Sequence, residues 1–551
     1  MIKFLNKNRI LFFIILLAAF LRLWNLGNVP PSASMDEASI GYNAYSVLKT
    51  GRDEYGEFPL ISQRSYDDWR RSTYLFLVIP FIAIFDLNII AVRLPAIILS
   101  ILTVLATYYI VLNLFSKRSN FSYLVAILSS FLLAINPWHI YISRLGHESN
   151  ACLAFLVFGV LFFLQGLENN KKLILSLVFF TLSMVSYYSG QAFIPVFGLG
   201  LLFIFRKKLI SIILSSKKTL IFLFIFAILL IPIFWTIFSP QALVRFRGTS
   251  NFDPKDHSEM FHQRVVSWNK AVENKDIIGM VFYHRYLFPL IIFTQGYFSH
   301  FNLKWLFTNS GSEPFKVPHM GLLNLWESPL IIIGILVLVF TKLISSKNKK
   351  VIFLWFLLAA IPASIATQAP HAMRYYNVLP TWQIFSALGF VYLLYQFRKY
   401  RMLILLSLSL LITVGIFIFY RNYFFVFPKE QSNSFNYALS KTIPYVIANK
   451  DKYEKIVFSN QDNLYQSYML FLFHSKYDPN LYQKQGGTKS GGFAETHEYG
   501  KYEFRPIVWN KDKSLKNILF VGNTNEFSRE VSALASFTDL DGKGEIKAVK
   551  N

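Results

Sequence analysis

The sequence predicts a polytopic α-helical membrane protein with a small soluble domain at its C-terminal end, on three observations. Hydrophobic residues make up 54% of the 551 positions and charged residues only 16%, against roughly 25% charge in soluble proteins. Apolar runs of about 20 residues, the length that crosses a hydrocarbon core, recur from the N-terminus to about residue 420. The Lys and Arg residues gather in short clusters between those runs, as they do in loops held on one side of a bilayer. The net charge of +24 is therefore spread as a topology signal, which argues against a nucleic-acid-binding face. The single cysteine, Cys152, lies in an apolar run, so a disulfide framework and a cysteine-based metal site are both excluded.

Taken in order, the first apolar run covers 9–26. It is long for a signal-peptide core and more runs follow, so it reads as a retained anchor and not as a leader cleaved near Ser32–Ser34. Further spans are expected at 89–115, 121–138, 150–167, 173–189, 191–205, 219–238, 328–344, 351–366, 378–396 and 402–420, about eleven in all. With a cytoplasmic N-terminus, the clusters Lys3/Lys7/Arg9, Lys117/Arg118, Lys171/Lys172, Arg206–Lys208 with Lys217/Lys218, Lys347–Lys350 and Arg398/Lys399/Arg401 all fall inside. The apolar stretch Tyr74–Phe85 is too short to cross, and counting it would invert every later cluster. It reads as an interfacial or re-entrant segment of the first outer loop. The expected division is a transmembrane domain over 1–426, with outer loops at 27–88 and 239–327, and an extracytoplasmic α/β domain over 427–551. In that tail "KIVFSN" and "NILFVGN" read as strands around a helical "NLYQSYMLFLFHSK". "KQGGTKSGG" lacks the spacing and the Lys-Ser/Thr ending of a phosphate-binding loop and reads as a flexible connection.

Four polar constellations fall on the expected outer face. Asp36–Glu37 open a loop that continues with "GRDEYGEFPL" and "SYDDWRRSTY" and so holds Arg70 and Arg71. "NPWHIYISRLGHESNACL" holds His139, Arg144, His147 and Glu148; "SYYSGQAFIP" holds Tyr187, Tyr188 and Gln191; "TQAPHAMRYYNVLP" holds His371 and Arg374. Singly, each has a plain reading as a solvated acid, a snorkelling arginine or an interfacial tyrosine belt. Together they place ionisable groups at one membrane boundary, where such groups are costly unless used. His371 and Arg374 are three residues apart, so a helical turn would set them on one face.

"LRLWNLG…PPSASMDEASIGYNAYSVLKTGRDEYGEFPL" followed by "DDWRRSTYLFLVIPFIAIFDLNIIAVRLPAIILS" resembles the N-terminal half of the GT-C membrane glycosyltransferases, nearest the protein O-mannosyltransferase and lipid A aminoarabinose transferase branch. "NPWHIYISR", "YFSHFNLKWLFTNSG" and "PHAMRYYNVLP" resemble later segments of bacterial members, and the likeness covers most of residues 10–420. The resemblance implies a GT-C fold in the plasma (inner) membrane, a polyprenyl-phosphate-linked sugar as donor, an outer-face site and inversion at the anomeric carbon. It implies Asp36 as catalytic base or metal-proximal carboxylate, with Glu148 in support. Arg70 stands where relatives often have a Lys-Pro-Pro, and this chain has Arg70–Arg71–Ser72 instead.

The chemistry asks for the same residue types. Glycosyl transfer needs a base for the acceptor hydroxyl, and the departing lipid phosphate needs cations or donors. Asp36, Glu37 and Glu148 are the catalytic candidates; Arg70, Arg71, Arg144, His147, Tyr188, His371 and Arg374 are the candidates for holding substrate. Asp36 and Glu148 have the donor chemistry for a divalent cation, without a diagnostic ligand spacing. The acceptor is a glycan, a lipid or a protein. An oligosaccharyltransferase or polysaccharide ligase is the rival enzyme, although the tail lacks a Trp-Trp-Asp-Tyr-Gly signature. The rival outside catalysis is a lipid-linked sugar flippase, against which stand the one-sided charges and the lack of a visible internal repeat.

Overall fold

The structure, a computed structural model, describes residues 5–66, 68–115, 119–214, 258–308, 315–490, 492 and 495–550, with isolated positions between 231 and 250. Helices coincide with ten of the eleven expected spans: α1 (Leu5–Leu23), α4 (Ile89–Leu114), α5 (Asn120–Ala134), α7 (Glu148–Gly166), α8 (Lys171–Met184), α9 (Tyr188–Leu214), and the helices Glu327–Phe340, Ser346–Leu358, Thr381–Gln396 and Arg401–Arg421. The expected span at 219–238 falls, isolated positions apart, outside the described residues. Among the described residues, Ile89–Leu114, Glu148–Gly166 and the helical stretch Arg398–Glu430 are each long and apolar enough to cross a membrane alone. Two bent pairs add to them, each turning by 55°. One joins α5 to α6 (Pro137–Ser143), and the other joins Ala372–Val378 to Thr381–Gln396. Pro137 and Pro380 sit at the breaks, where a proline ring removes a backbone donor and crowds the preceding turn. Met402, Leu403, Leu406, Leu410 and Phe417 are each more than 60% exposed, a surface that a hydrocarbon phase accepts and water does not. The chain is a polytopic helical membrane protein.

The apolar stretch after the first loop forms α3 (Thr73–Phe85), 13 residues long and shorter than a crossing. Just before it β1 (Ser62–Ser65) and β2 (Asp68–Arg71) pair antiparallel, with Arg70 opposite Gln63. This hairpin was not expected from the sequence.

The chain divides into two compact units. The first holds Met1–Ala18, Ile101–His139 and Cys152–Thr413. Within it, Glu327–Phe340 packs along Thr381–Gln396. A Cβ on Gly334 would run into the Phe385 carbonyl oxygen, and one on Gly389 into that of Leu330. Glycine at both places lets the two backbones touch, as small residues do at membrane helix crossings.

The second unit holds Ala19–Ser100, Ile140–Ala151 and Val414–Asn551. The tail therefore folds with the segment that follows α1. Its sheet runs β4-β5-β3-β6-β8-β7, with β3 (Lys455–Phe458), β4 (His497–Tyr499), β5 (Tyr502–Phe504), β6 (Ile518–Asn523), β7 (Ala535–Thr538) and β8 (Glu545–Lys550). β3 is parallel to both of its neighbours. The two strands read from the sequence, β3 and β6, are the central ones. Five consecutive residues of β6 are buried, which is why apolar run length revealed them.

Candidate active site

α2 (Met35–Thr50) starts on a capping box: the Ser34 hydroxyl accepts from the Glu37 amide, and the Glu37 side chain accepts from the Ser34 amide. This sets Asp36 and Glu37 in the first turn, where carboxylates favour the helix N-terminus. Their side chains then part company.

Glu37 is 1% exposed and its carboxylate is filled. Arg93 of α4 binds it two-pronged, Nε to Oε1 at 2.7 Å and Nη2 to Oε2 at 3.1 Å. The Gly146 amide donates to Oε1 at 2.9 Å. Arg93 spends its remaining donors on the carbonyls of Leu26, Pro30 and Ser32. Glu37 was expected among the catalytic acids. It is instead the knot that ties α2, α4 and the 145–147 turn together, because all of its lone pairs are committed.

Asp36 points the other way, with a side chain 35% exposed. Arg70, brought in by β2, donates through Nη2 to Asp36 Oδ1. Arg70 itself is mostly covered, and among the described residues its Nη1 has no hydrogen-bond partner. Burial alone would lower the guanidinium's pKa; the charges of Asp36 and then Glu148 outweigh that and hold it protonated. His147 approaches Asp36 Oδ2 through Nε2 at 3.9 Å. Its Nδ1 accepts from the Ser149 amide at 3.1 Å, which leaves the proton of a neutral ring on Nε2, facing the carboxylate. Glu148 lies 3.6 Å from His147 Nδ1, and its buried Oε2 has no hydrogen-bond partner among the described residues. Asp36, Arg70, His147 and Glu148, drawn from three separate stretches of sequence, thus meet in one cluster of the second unit. Tyr66 closes its side, donating to the Met35 carbonyl at 2.9 Å.

Two other expected substrate contacts have structural duties in the same unit. Arg144 is buried, donates to the carbonyls of Leu21, Arg22 and Val29, and lies over the rings of Tyr423 and Phe424. Arg71 alternates with Arg70 along β2, so it points to the opposite face, where it is buried and donates to the Ser62 hydroxyl at 3.1 Å.

Tyr188, His371 and Arg374 belong to the first unit. Tyr188 opens α9 and is half-buried. His371 and Arg374 do not share a helical face. The helix there is only Ala372–Tyr375, and His371 caps it from extended backbone, its Nδ1 accepting from the Arg374 amide. The His371 amide donates in turn to His300 Nε2 at 3.2 Å. Arg374 Nη1 donates to the Thr367 carbonyl at 3.3 Å. The cap was hidden in the sequence because only the backbone angle of His371 distinguishes it from a helical position.

Among the described residues no three His, Cys, Asp or Glu side chains converge as a metal ion requires. The Arg70 guanidinium already sits against Asp36 and feels Glu148, the two acids that a cation would bridge. The residues present fit an internal organic cation better than a bound divalent ion.

The expected flexible loop is not free over 484–490. The Thr488 amide donates to the Glu54 carbonyl at 3.0 Å and its hydroxyl to Glu54 Oε2 at 2.7 Å. Nothing in the sequence marks Glu54, Tyr66 or Arg93 for these roles; in "DEYGEF" Glu54 is one of three acids in a polar loop.

Comparison with known proteins agrees with this architecture. Residues 73–235 match the family model of dolichyl-phosphate-mannose-protein mannosyltransferases. The fold is similar to that of ArnT from Cupriavidus metallidurans bound to undecaprenyl phosphate: TM-score 0.53 at 9% identity, over 99% of this chain and 97% of that one. It is also similar to the oligosaccharyltransferase of Archaeoglobus fulgidus in complex with zinc and sulfate, at TM-score 0.50 and 14% identity. There the match covers 84% of this chain but only 61% of the archaeal enzyme, so the chain spans less than two thirds of that relative's length. No curated protein matches the chain by sequence. The likeness to ArnT shows the fold to be GT-C, and the stretch 73–235 is similar to the mannosyltransferase family.

Proposed function

We propose that the protein moves a sugar from a polyprenyl-phosphate carrier to an acceptor hydroxyl at the outer face of the plasma membrane, with inversion. One observation carries the reading: a half-exposed carboxylate, Asp36, is gripped on one oxygen by an arginine that keeps a second N–H uncommitted. The likeness to a protein bound to undecaprenyl phosphate supports the carrier class.

In this reading the acceptor hydroxyl gives its proton to Asp36 Oδ2 as its oxygen attacks the anomeric carbon. The bond from that carbon to the phosphate oxygen breaks, and the lipid phosphate leaves with the electron pair. Arg70 Nη1 and the Nε2–H of His147 meet the growing phosphate charge. Glu148 keeps Arg70 and His147 turned toward the site. His371, Arg374 and Tyr188, which belong to the first unit, are proposed as substrate-binding residues in their own right. The N-terminus is cytoplasmic and the tail extracytoplasmic, as the basic clusters require.

Purified protein given radiolabelled polyprenyl-phosphate sugar should transfer the label, or release it slowly to water when no acceptor is present. Movement of intact donor across vesicles without any bond cleavage would replace this reading with a flippase. Protection of a tag after Asn551 from protease in intact spheroplasts would overturn the orientation.

A further inference from the structure

The tail holds the helix that carries Asp36 through an unusually dense polar contact, all of it within the second unit. Glu54, just beyond α2, is fully buried. Its Oε1 takes a hydrogen bond from Asn43 of α2 at 2.9 Å, and the Glu54 amide donates back to Asn43 Oδ1 at 2.8 Å. Its Oε2 takes the Thr488 hydroxyl at 2.7 Å and the Tyr468 hydroxyl at 3.2 Å, both from the tail. Thr488 is itself bonded to the Tyr482 hydroxyl at 2.7 Å. Alongside, the Gln483 amide nitrogen lies within 3.4 Å of four oxygens at the end of α2: the Ser46 and Thr50 hydroxyls and the Arg52 and Asp53 carbonyls. The approach is close enough to need glycine on both sides. A Cβ on Gly41 of α2 would lie 2.6 Å from the Phe473 ring, and one on Gly487, at φ +59°, would lie 2.8 Å from the Glu54 carbonyl.

A buried carboxylate that accepts three donors is costly to build for packing alone, since apolar side chains would fill the same volume more cheaply. What the polar contact adds is direction: each bond fixes α2 against rotation and sliding. We propose that the C-terminal domain is a positioning element of the Asp36 site, with Glu54, Gln483 and Thr488 clamping α2 so that the carboxylate at its first turn is held at the reacting geometry. The tail also reaches that end of the helix: Tyr465, half-buried, has its phenol pushed up by burial and by the Asp36 charge. These are positioning residues, and the proposal rests on Asp36 being the base.

The test measures transfer in Thr488→Val, Gln483→Ala and Thr488→Ser beside Asp36→Asn, on full-length protein in detergent or nanodiscs. Misplacing a catalytic group by about 1 Å costs up to roughly a hundredfold. Thr488→Val and Gln483→Ala should each lower kcat by about ten- to a hundredfold while KM for the donor moves by less than about threefold, and Thr488→Ser should restore kcat. Thermal melts identify any variant that has merely lost its fold, and Thr488→Ser keeps the test open if Thr488→Val does. Wild-type kcat in folded Thr488→Val and Gln483→Ala, with Asp36→Asn inactive, would overturn the clamp and leave the base standing. Full activity in Asp36→Asn would remove the base and the clamp with it.

Discussion

Two acid–arginine pairs start from neighbouring residues and end with opposite work. Glu37 with Arg93 is buried and two-pronged, and every spare donor of the arginine is spent on a carbonyl. Asp36 with Arg70 has a half-exposed acid and an arginine nitrogen with no hydrogen-bond partner among the described residues. Residue chemistry is the same in both. What differs is how many valences the fold has left over. A saturated pair can only hold structure, whereas a pair with a partly exposed carboxylate and an arginine N–H to spare can accept a proton and bind an anion.

The comparison is most exposed to Asp36→Asn, which keeps the side chain's size and removes its proton acceptor. Transfer should fall by about a hundred- to ten-thousand-fold, by more than any loss of fold seen in thermal melts of the same variant, in which Glu148 still faces Arg70. Activity within about threefold of wild type at saturating donor would show that the open pair is no more catalytic than the closed one.

Glu37→Gln should have its main effect on folding. It leaves the buried Arg93 without its counter-charge, and breaking a buried pair from one side costs about 3–5 kcal/mol. Denaturant unfolding of the purified variant checks this; a loss under about 1 kcal/mol would mean that the pair is dispensable.

Glu54 is a third buried acid, this one paired only with neutral donors. Burial is the largest influence on its carboxyl and pushes it up to about 7 from an ordinary 4.5, while the hydrogen bonds from Asn43, Thr488 and Tyr468 pull it partly back. A raised carboxyl pKa means that the folded state binds the proton more tightly than the unfolded one. Stability is therefore fullest below about pH 4.5 and falls as pH rises through about 7, by about 3 kcal/mol at 1.36 kcal/mol per unit. Asp53, pushed up to about 6 mainly by burial, works in the same sense. Melting temperatures of wild type and Glu54→Gln across pH 5–8 should converge at the acid end and separate at the alkaline end, wild type lying lower. Parallel curves would rule this out.

The smallest effects belong to the proposed phosphate contacts. Arg70→Lys keeps a cation for Asp36 but loses the fork that leaves a second N–H in place, so donor KM should rise about tenfold with a smaller change in kcat. Arg374→Ala should raise it by a lesser factor. An unchanged KM in Arg374→Ala would leave that arginine as the clasp on Thr367.

The primary sequence alone determined the architecture that depends on local pattern. Run length and hydropathy place the spans, since a helix in hydrocarbon must satisfy its own backbone and be greasy along its length. Ser34 and Glu37, at capping-box spacing, start α2 for equally local reasons. β3 and β6 were visible because they are buried on both faces. Only the tertiary structure decided what each acid and arginine does. Whether Asp36 or Glu37 stays within reach of solvent depends on Arg70 and Arg93, which reach them from 34 and 56 residues away along the chain. Whether "KQGGTKSGG" flexes depends on Glu54, more than 400 residues earlier, waiting for Thr488. Hydrogen-bond saturation is a property of which groups meet in space, and no window of neighbouring residues contains it.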